Sequence, residues 1–190
     1  MPPSKFQIVP AQSPSQLETA KTLITAYTKW TNLDLTFQGI SSELASLSTE
    51  YGPSHGGALY LAYSTDPHHN PTSTSPPQAE ETHDPIVLGC IALRALPSTP
   101  AHVPPPHGSS CCEMKRLYVT DQARGLGVGR ALVDAIVSRA RELGYTEMRL
   151  DTLPWMEGAI ALYRRIGFVD IEPYYETPLE ETVFLGLDLR

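Results

Sequence analysis

The segment CEMKRLYVTDQARGLGVGRAL, residues 112–132, is the most informative part of the sequence. Residues 113–119 include aromatic and β-branched side chains and contain no Gly or Pro, which predicts a strand. A polar turn follows, then glycines at Gly125, Gly127 and Gly129, and then the start of a helix. Glycine has no side chain, so backbone N–H groups can converge on an anion there, and a helix start adds unpaired amides and a positive dipole end. Strand, glycine turn and helix together predict a phosphate-binding site.

The spacing of the glycines narrows the kind of phosphate site. A P-loop requires Lys-Ser or Lys-Thr after its glycines, and neither pair follows here. A dinucleotide-binding turn requires G-x-G-x-x-G, which Gly125, Gly127 and Gly129 do not match. The pattern Q-x-x-G-x-G does fit, at Gln122, Gly125 and Gly127. The alternative is an ordinary strand-to-helix turn in which glycine serves tight packing.

With this pattern the chain resembles the GNAT superfamily of acetyl-CoA-dependent N-acetyltransferases, whose pyrophosphate loop has the same form. A second segment, AIALYRRIGF at residues 159–168, resembles the superfamily's helix that carries A-x-x-L-Y and ends in Gly-Phe. The resemblance covers residues 112–168. It departs from the family at one position, because many members place Asn three residues before the alanine, where it contacts the cofactor, and this chain has Met156.

The rest of the chain predicts further strands and helices. Ser13, Pro14 and Gln16 form a helix start with a capping box, and a shorter helix is predicted at residues 42–50. Apolar residues at helical spacing after that start are expected to face the core: Leu17, Ala20, Leu23, Ile24, Tyr27 and Trp30. Gly144 and Gly167 are expected to end two later helices. The other predicted strands are residues 6–9, 58–63, 86–93, 147–152, 168–171 and 182–189.

These elements predict a single α/β domain spanning residues 1–190. The strand at 147–152 is expected to run parallel to that at 113–119, because a crossover helix joins them. The fold class is a mixed, mostly antiparallel sheet with helices on both faces. The GNAT resemblance implies that the parallel pair splays apart and holds the cofactor. Segments 64–85 and 97–110, rich in Pro and polar residues, are expected to be flexible loop insertions.

Composition excludes several classes of function. The chain has 190 residues, 41% hydrophobic and 18% charged, which is typical of a globular domain. A net charge of -7 argues against a nucleic-acid partner, and no apolar run reaches the roughly 18 residues of a membrane span. Three cysteines, two of them adjacent, and an N terminus without an apolar core predict a cytoplasmic protein. We expect a monomer or a homodimer, with no metal.

The resemblance implies where acetyl-CoA, the co-substrate, binds. Backbone groups of the strand would hold the pantetheine arm, and one N–H would polarise the thioester carbonyl, an effect worth about 3 kcal/mol. The pyrophosphate would lie over the glycine turn. The expected cofactor contacts are Leu117, Tyr118, Val119, Gln122, Arg124, Gly125, Leu126, Gly127, Val128, Gly129 and Arg130.

Two residues match catalytic positions of the family. Glu113 is the candidate base, with a pKa expected to be raised beside an apolar wedge, and the alternative is a surface glutamate paired with Lys115. Tyr163 is the candidate acid that protonates the departing thiolate, and the alternative is a core tyrosine. An acyl-cysteine route through Cys111 or Cys112 is less favoured, because no histidine is placed by sequence to activate either.

The acceptor is the least specified part of the prediction. In GNAT proteins the region after the first helix roofs the acceptor pocket, which makes Phe37, Gln38, Tyr51 and His55 candidate substrate contacts, with plain packing as the alternative. We expect direct acetyl transfer, in a ternary complex, to a primary amine of a small molecule. The alternatives are a protein or peptide N-acetyltransferase and a non-catalytic acyl-CoA sensor.

Overall fold

The computed structural model of the protein describes residues 5–33, 36–66, 85–96 and 110–190. Most of the two predicted loop insertions, at 64–85 and 97–110, lies outside these ranges.

The described residues form one sheet of seven strands in the order β1-β2-β3-β4-β5-β7-β6. Every neighbouring pair is antiparallel except β4 and β5, which are parallel. The mixed, mostly antiparallel sheet is therefore confirmed. The strands are β1 (Phe6–Pro10), β2 (Ala58–Ser64), β3 (Val87–Ala95), β4 (Cys111–Val119), β5 (Glu147–Thr152), β6 (Val169–Asp170) and β7 (Val183–Asp188).

Five α-helices of the described chain cover the two faces of this sheet: α1 (Pro14–Thr31), α2 (Ile40–Ala45), α3 (Leu47–Glu50), α4 (Val128–Glu142) and α5 (Glu157–Ile166). Alternate strand residues explain the two layers. In β2, Leu59 and Leu61 pack with α1 and α3, whereas Ala58 and Ala62 pack with α4. Helices on both faces are thus confirmed. Within the described ranges, no helix is both long and apolar enough to cross a membrane.

The first helix begins as its sequence predicts, but one residue predicted to face the core is exposed. The Ser13 side chain accepts from the Gln16 backbone N–H at 3.3 Å, and the Gln16 side chain accepts from the Ser13 N–H at 3.0 Å. Leu23 and Ile24 are buried, but Trp30 is 44% exposed, so its assignment to the core is wrong. Trp30 lies in the last turn, where its ring centroid is 5.3 Å from that of Trp155.

The second predicted helix, at 42–50, is wrong as a single element. It is divided into α2 and α3 at Ser46, whose φ of -137° and ψ of 38° are not helical. The Ser46 hydroxyl donates to the Ser42 carbonyl at 2.8 Å. Such local side-chain bonds compete with the helical pattern.

Candidate active site

The parallel strands β4 and β5 pair along only part of their length. Their register covers residues 111–113 of β4 and 147–149 of β5, and beyond Glu113 the two strands are no longer paired. The predicted splay is therefore confirmed. It opens a cavity of about 700 Å³, whose walls include Met114 to Val119 and Leu150 to Leu153.

A β-bulge in β4 shapes the wall of this cavity. Cys90 of β3 is opposite Tyr118, and Ala92 is opposite Lys115, so two β4 residues, 116 and 117, face one β3 residue. Arg116 has a φ of +57°, in the left-handed region that is uncommon for residues other than glycine. The bulge turns Lys115 and Arg116, although consecutive, toward the same side of the sheet: Lys115 approaches Asp151, and Arg116 donates to Glu43 of α2 at 2.8 and 2.7 Å.

The opposite end of the cavity has the features of a phosphate site. Gly125 and Gly127 have φ of +79° and +84°, and α4 begins directly after Gly127 without a side-chain cap. The first amides of α4 are therefore available to an anion. Arg124 and Arg130 line this end, and each pairs with an exposed neighbouring carboxylate, an arrangement that holds a guanidinium only weakly. These groups fit the pyrophosphate of acetyl-CoA.

Most of the predicted cofactor contacts line the cavity. Gln122 and Leu126 do not line it, and both are exposed to solvent. For both, a cofactor contact stays a prediction. The residues that do line it are Leu117, Tyr118, Val119, Arg124, Gly125, Gly127, Val128, Gly129 and Arg130.

Met156, which replaces the family's Asn, precedes α5 as its N-cap and gives the helix no side-chain cap. It lines the cavity, and its sulfur accepts from the Thr152 hydroxyl at 3.5 Å. A thioether offers a weak acceptor and no donor, so it cannot replace the amide contacts of an asparagine.

Tyr163 lies in the buried part of the cavity wall, on α5. Its hydroxyl has no hydrogen-bond partner among the described residues. Burial raises the pKa of Tyr163, and the nearby Tyr27 and Asp151 raise it further. The phenol therefore stays protonated at neutral pH.

Glu113 is placed differently from its expected surroundings. It is 1% exposed, lies outside the cavity lining, accepts from Arg94 Nε at 2.7 Å and from the Tyr174 hydroxyl at 2.8 Å, and lies 3.6 Å from Lys115 Nζ. Burial alone would raise the pKa of Glu113, but Lys115, Arg94 and the Tyr174 hydrogen bond together lower it. The expected rise is wrong because cations surround this carboxylate. The Lys115 pair of the alternative is present, but it is buried rather than on the surface.

Of the four candidate acceptor contacts, Gln38 alone lines the cavity, where its side-chain oxygen accepts from Arg116 at 3.2 Å. Phe37 and His55 are outside the lining, and Phe37 is exposed. Tyr51 is buried and donates to Glu43 at 2.7 Å, so its hydroxyl supports the Arg116 pair. Substrate contacts of these three stay predictions.

Asp151, a half-buried carboxylate of β5 in the cavity wall, was not predicted as a site residue from the sequence. Its partner is Lys115, whose Nζ lies 3.8 Å from Asp151 Oδ1. The strand pattern offered a signal: Leu150 faces the α4 core, so a charged residue at 151 must face the other side. That this side opens into a cavity depends on the splay.

The cysteines are poor nucleophiles. Burial, with help from Glu147, raises the pKa of Cys111 to about 11, and burial also raises the pKa of Cys112. Neither forms a thiolate at neutral pH.

Comparison with known proteins agrees with this geometry. The family model described as the acetyltransferase (GNAT) family matches residues 42–168. The chain belongs to this family and has its acetyl-CoA-binding fold.

Within the family, the chain is similar to named N-acetyltransferases. It is 35% identical to an uncharacterized N-acetyltransferase of Schizosaccharomyces pombe over 100% of this chain and 98% of that protein. The protein is therefore an N-acetyltransferase. Among solved structures it is similar to a GNAT acetyltransferase of Staphylococcus aureus, with TM-score 0.67, 19% identity and 97% and 99% coverage of the two chains. It is also similar to an acetyltransferase of Salmonella typhimurium with its cofactor acetyl-CoA, with TM-score 0.59, 14% identity and 98% and 95% coverage.

Proposed function

We propose that this N-acetyltransferase transfers the acetyl group of acetyl-CoA directly to a primary amine of a small molecule, in a ternary complex. The observation that carries the proposal is the continuity of the cavity. It extends from the uncapped start of α4, between the splayed strands, to a polar end that includes Gln38 and Asp151. Both substrates can therefore meet in one space, without a covalent enzyme intermediate.

In this proposal the backbone of the splayed strand and one side chain perform the main steps. The unpaired edge of β4 after Glu113 offers N–H and C=O groups to the amides of the pantetheine arm. One β4 N–H polarises the thioester carbonyl, as in an oxyanion hole. The Tyr163 hydroxyl, which has no partner in the described chain, protonates the thiolate that leaves. High cysteine pKa values support direct transfer over an acyl-cysteine route.

An acetyl-CoA consumption assay tests this function. Release of free coenzyme A thiol is measured against a panel of small amines, amino acids and peptides. Rapid release with small amines is the expected result. Release with peptides alone would assign the chain to protein acetylation, and tight acetyl-CoA binding without any release would assign it to sensing.

A further inference from the structure

The acceptor end of the cavity contains a carboxylate that has no assigned role. Among the residues that the structure describes, two carboxylates line the cavity, Asp151 and Glu157. Glu157 is exposed in the first turn of α5, whereas Asp151 is half-buried on β5 and faces the side of α1 and α2. Asp151 therefore lies in the wall between the splayed strands and the residues after α1.

Asp151 is held loosely compared with its neighbours. Lys115 Nζ lies 3.8 Å from it and 3.6 Å from Glu113, and both distances exceed a normal hydrogen bond. Glu113 and Glu43, in contrast, accept bonds of 2.7–2.8 Å. The Tyr175 hydroxyl is buried beside Asp151 and interacts with it. The ion pair of Asp151 with Lys115 is longer than the bonds of Glu113 and Glu43, so its carboxylate keeps capacity to accept a further hydrogen bond.

The charges around Asp151 favour a cation. The connected ion pairs contain three carboxylates, of Glu50, Glu113 and Asp151, and two cations, of Arg94 and Lys115. One negative charge is therefore in excess. An ammonium group would balance it.

An incoming carboxylate has no comparable partner at this end. Among the described cations here, Arg116 is bonded to Glu43 and Arg94 to Glu50 and Glu113, and Lys115 already lies 3.6 and 3.8 Å from two carboxylates. A third carboxylate would add to the excess of negative charge. Like charges in such a site cost free energy, so a carboxylate beside the reactive nitrogen is disfavoured.

We infer that Asp151 binds the acceptor's ammonium group and removes its proton, and that the acceptors are amines without a carboxylate next to the reactive nitrogen. This inference rests on the proposed acetyl transfer and names the base and the substrate class for it.

The proton and bond changes balance in this scheme. The ammonium gives one proton to Asp151, and the resulting amine attacks the acetyl carbonyl. The new C–N bond forms and the C–S bond breaks. Tyr163 gives its proton to the departing thiolate, and the second proton lost by the nitrogen restores the Tyr163 hydroxyl. Asp151 then releases its proton to solvent, while Lys115 remains paired with Glu113.

The substrate part is tested on the wild-type protein with matched acceptors that differ only in a carboxylate. Phenethylamine is compared with phenylalanine, tyramine with tyrosine, and tryptamine with tryptophan. The amine of each pair should have a kcat/KM at least about tenfold higher, since like-charge repulsion opposes the amino acid. Equal or reversed values would overturn the assigned substrate class while leaving acetyl transfer in place. If no acceptor of any class is acetylated, the proposed function itself fails.

The base is tested with Asp151→Asn, with Asp170→Asn as the matched control, because Asp170 forms an exposed pair with Arg164 outside the cavity. Asp151→Asn should lower kcat/KM for the amine about 100- to 10,000-fold and leave the calorimetric Kd for acetyl-CoA unchanged. Asp170→Asn should change neither. Asp151→Glu, which keeps the carboxylate, should recover part of the lost activity.

The pH profile separates a base from a structural role. The acidic limb of kcat/KM should disappear in Asp151→Asn. Among the described residues, the titratable groups that interact with Asp151 include Lys115 and four tyrosines, Tyr27, Tyr163, Tyr174 and Tyr175. These tyrosines have raised pKa values and do not titrate on that limb. Activity within about twofold of wild type would overturn the role of Asp151. So would a loss of activity that follows lost acetyl-CoA affinity, or one that Asp151→Glu does not recover although it folds.

Discussion

We call the part of the β4–β5 pair up to Glu113 and Arg149, where the strands are paired, its lower half, and the part beyond these residues its upper half. The polar groups of the lower half are more completely hydrogen-bonded than those of the upper half. In the lower half, up to Glu113 and Arg149, the two backbones are paired and Glu113 is surrounded by donors. In the upper half the strands separate, the Tyr163 hydroxyl has no partner among the described residues, and Asp151 has one distant cation. In the proposed mechanism, the side chains that act on the substrates lie in the upper half, where polar groups are left without close partners.

The same difference in hydrogen bonding distinguishes the carboxylates of Glu113 and Asp151. Glu113 and Asp151 lie on neighbouring strands, face the same side of the sheet, and share Lys115. Glu113 is saturated by three neighbours, which suits a structural role. Asp151 opens into the cavity, which suits contact with a substrate.

The largest expected effect comes from a substitution in the upper half. Tyr163→Phe removes the proposed proton donor and keeps the ring that packs 5.8 Å from Phe168. Turnover should fall about 100- to 10,000-fold, because the thiolate leaves unprotonated. Acetyl-CoA affinity, by calorimetry, and thermal stability should change little. A variant that turns over at the wild-type rate, or one that melts far below wild type, would show that the hydroxyl is idle or structural.

A smaller effect is expected in the lower half, on stability. Glu113→Gln removes a buried charge from Arg94 and Lys115, so the free energy of unfolding should fall by about 3 kcal/mol in urea titrations. The matched control is Glu142→Gln, which breaks an exposed pair with Arg139 and should cost less than about 0.5 kcal/mol. A Glu113→Gln protein as stable as wild type, but without the acidic limb of its rate profile, would restore the role of Glu113 as the base.

The pH dependence of stability sharpens the same point. The pKa of Glu113 is lowered from its ordinary value of 4.5, so its charge stabilises the fold above that pH. This stabilisation should be lost as the pH falls below 4.5 through the lower folded pKa. The unfolding free energy of wild type should therefore decrease over this range more steeply than that of Glu113→Gln. Parallel curves for the two proteins would contradict the assigned direction.

The smallest effect concerns the glycine turn at the phosphate end of the cavity. Gly127 and Gly144 have φ of +84° and +82°, and a Cβ at either would meet no atom within 4 Å. Alanine at each should cost about 1–2 kcal/mol of backbone strain. Only Gly127→Ala should also weaken acetyl-CoA binding and raise its Kd about tenfold. The strained turn would relax into a conformation that no longer fits the pyrophosphate. Equal Kd values of the two variants for acetyl-CoA would show that the Gly127 turn does not contribute to cofactor binding.

Local signals in the sequence predicted much of the fold. The capping box at Ser13, the bounds of β5, and the ends of α4 and α5 near Gly144 and Gly167 follow from residues that are adjacent in the chain. The glycine turn and the A-x-x-L-Y helix likewise identified the family before any contact was visible. The division of the second predicted helix at Ser46 was not predicted, because it depends on weak local hydrogen bonds.

The electrostatics of the site could not be predicted in the same way. The pKa of Glu113 depends on Arg94 and Tyr174, which come from distant parts of the chain through strand register. The bulge at Arg116 was not predictable from the sequence, because the residue with positive φ there is not a glycine. Asp151 acquires its place in the cavity only because β4 and β5 separate beyond Glu113.

A crystal structure of the protein with acetyl-CoA would show whether the splayed strands hold the cofactor. We expect the pantetheine arm to lie between Leu117–Val119 of β4 and Leu150–Thr152 of β5. The pyrophosphate should contact the first amides of α4, and the thioester sulfur should lie within hydrogen-bond reach of the Tyr163 hydroxyl. An arm that binds outside the splayed strands, or a sulfur remote from Tyr163, would contradict this expectation.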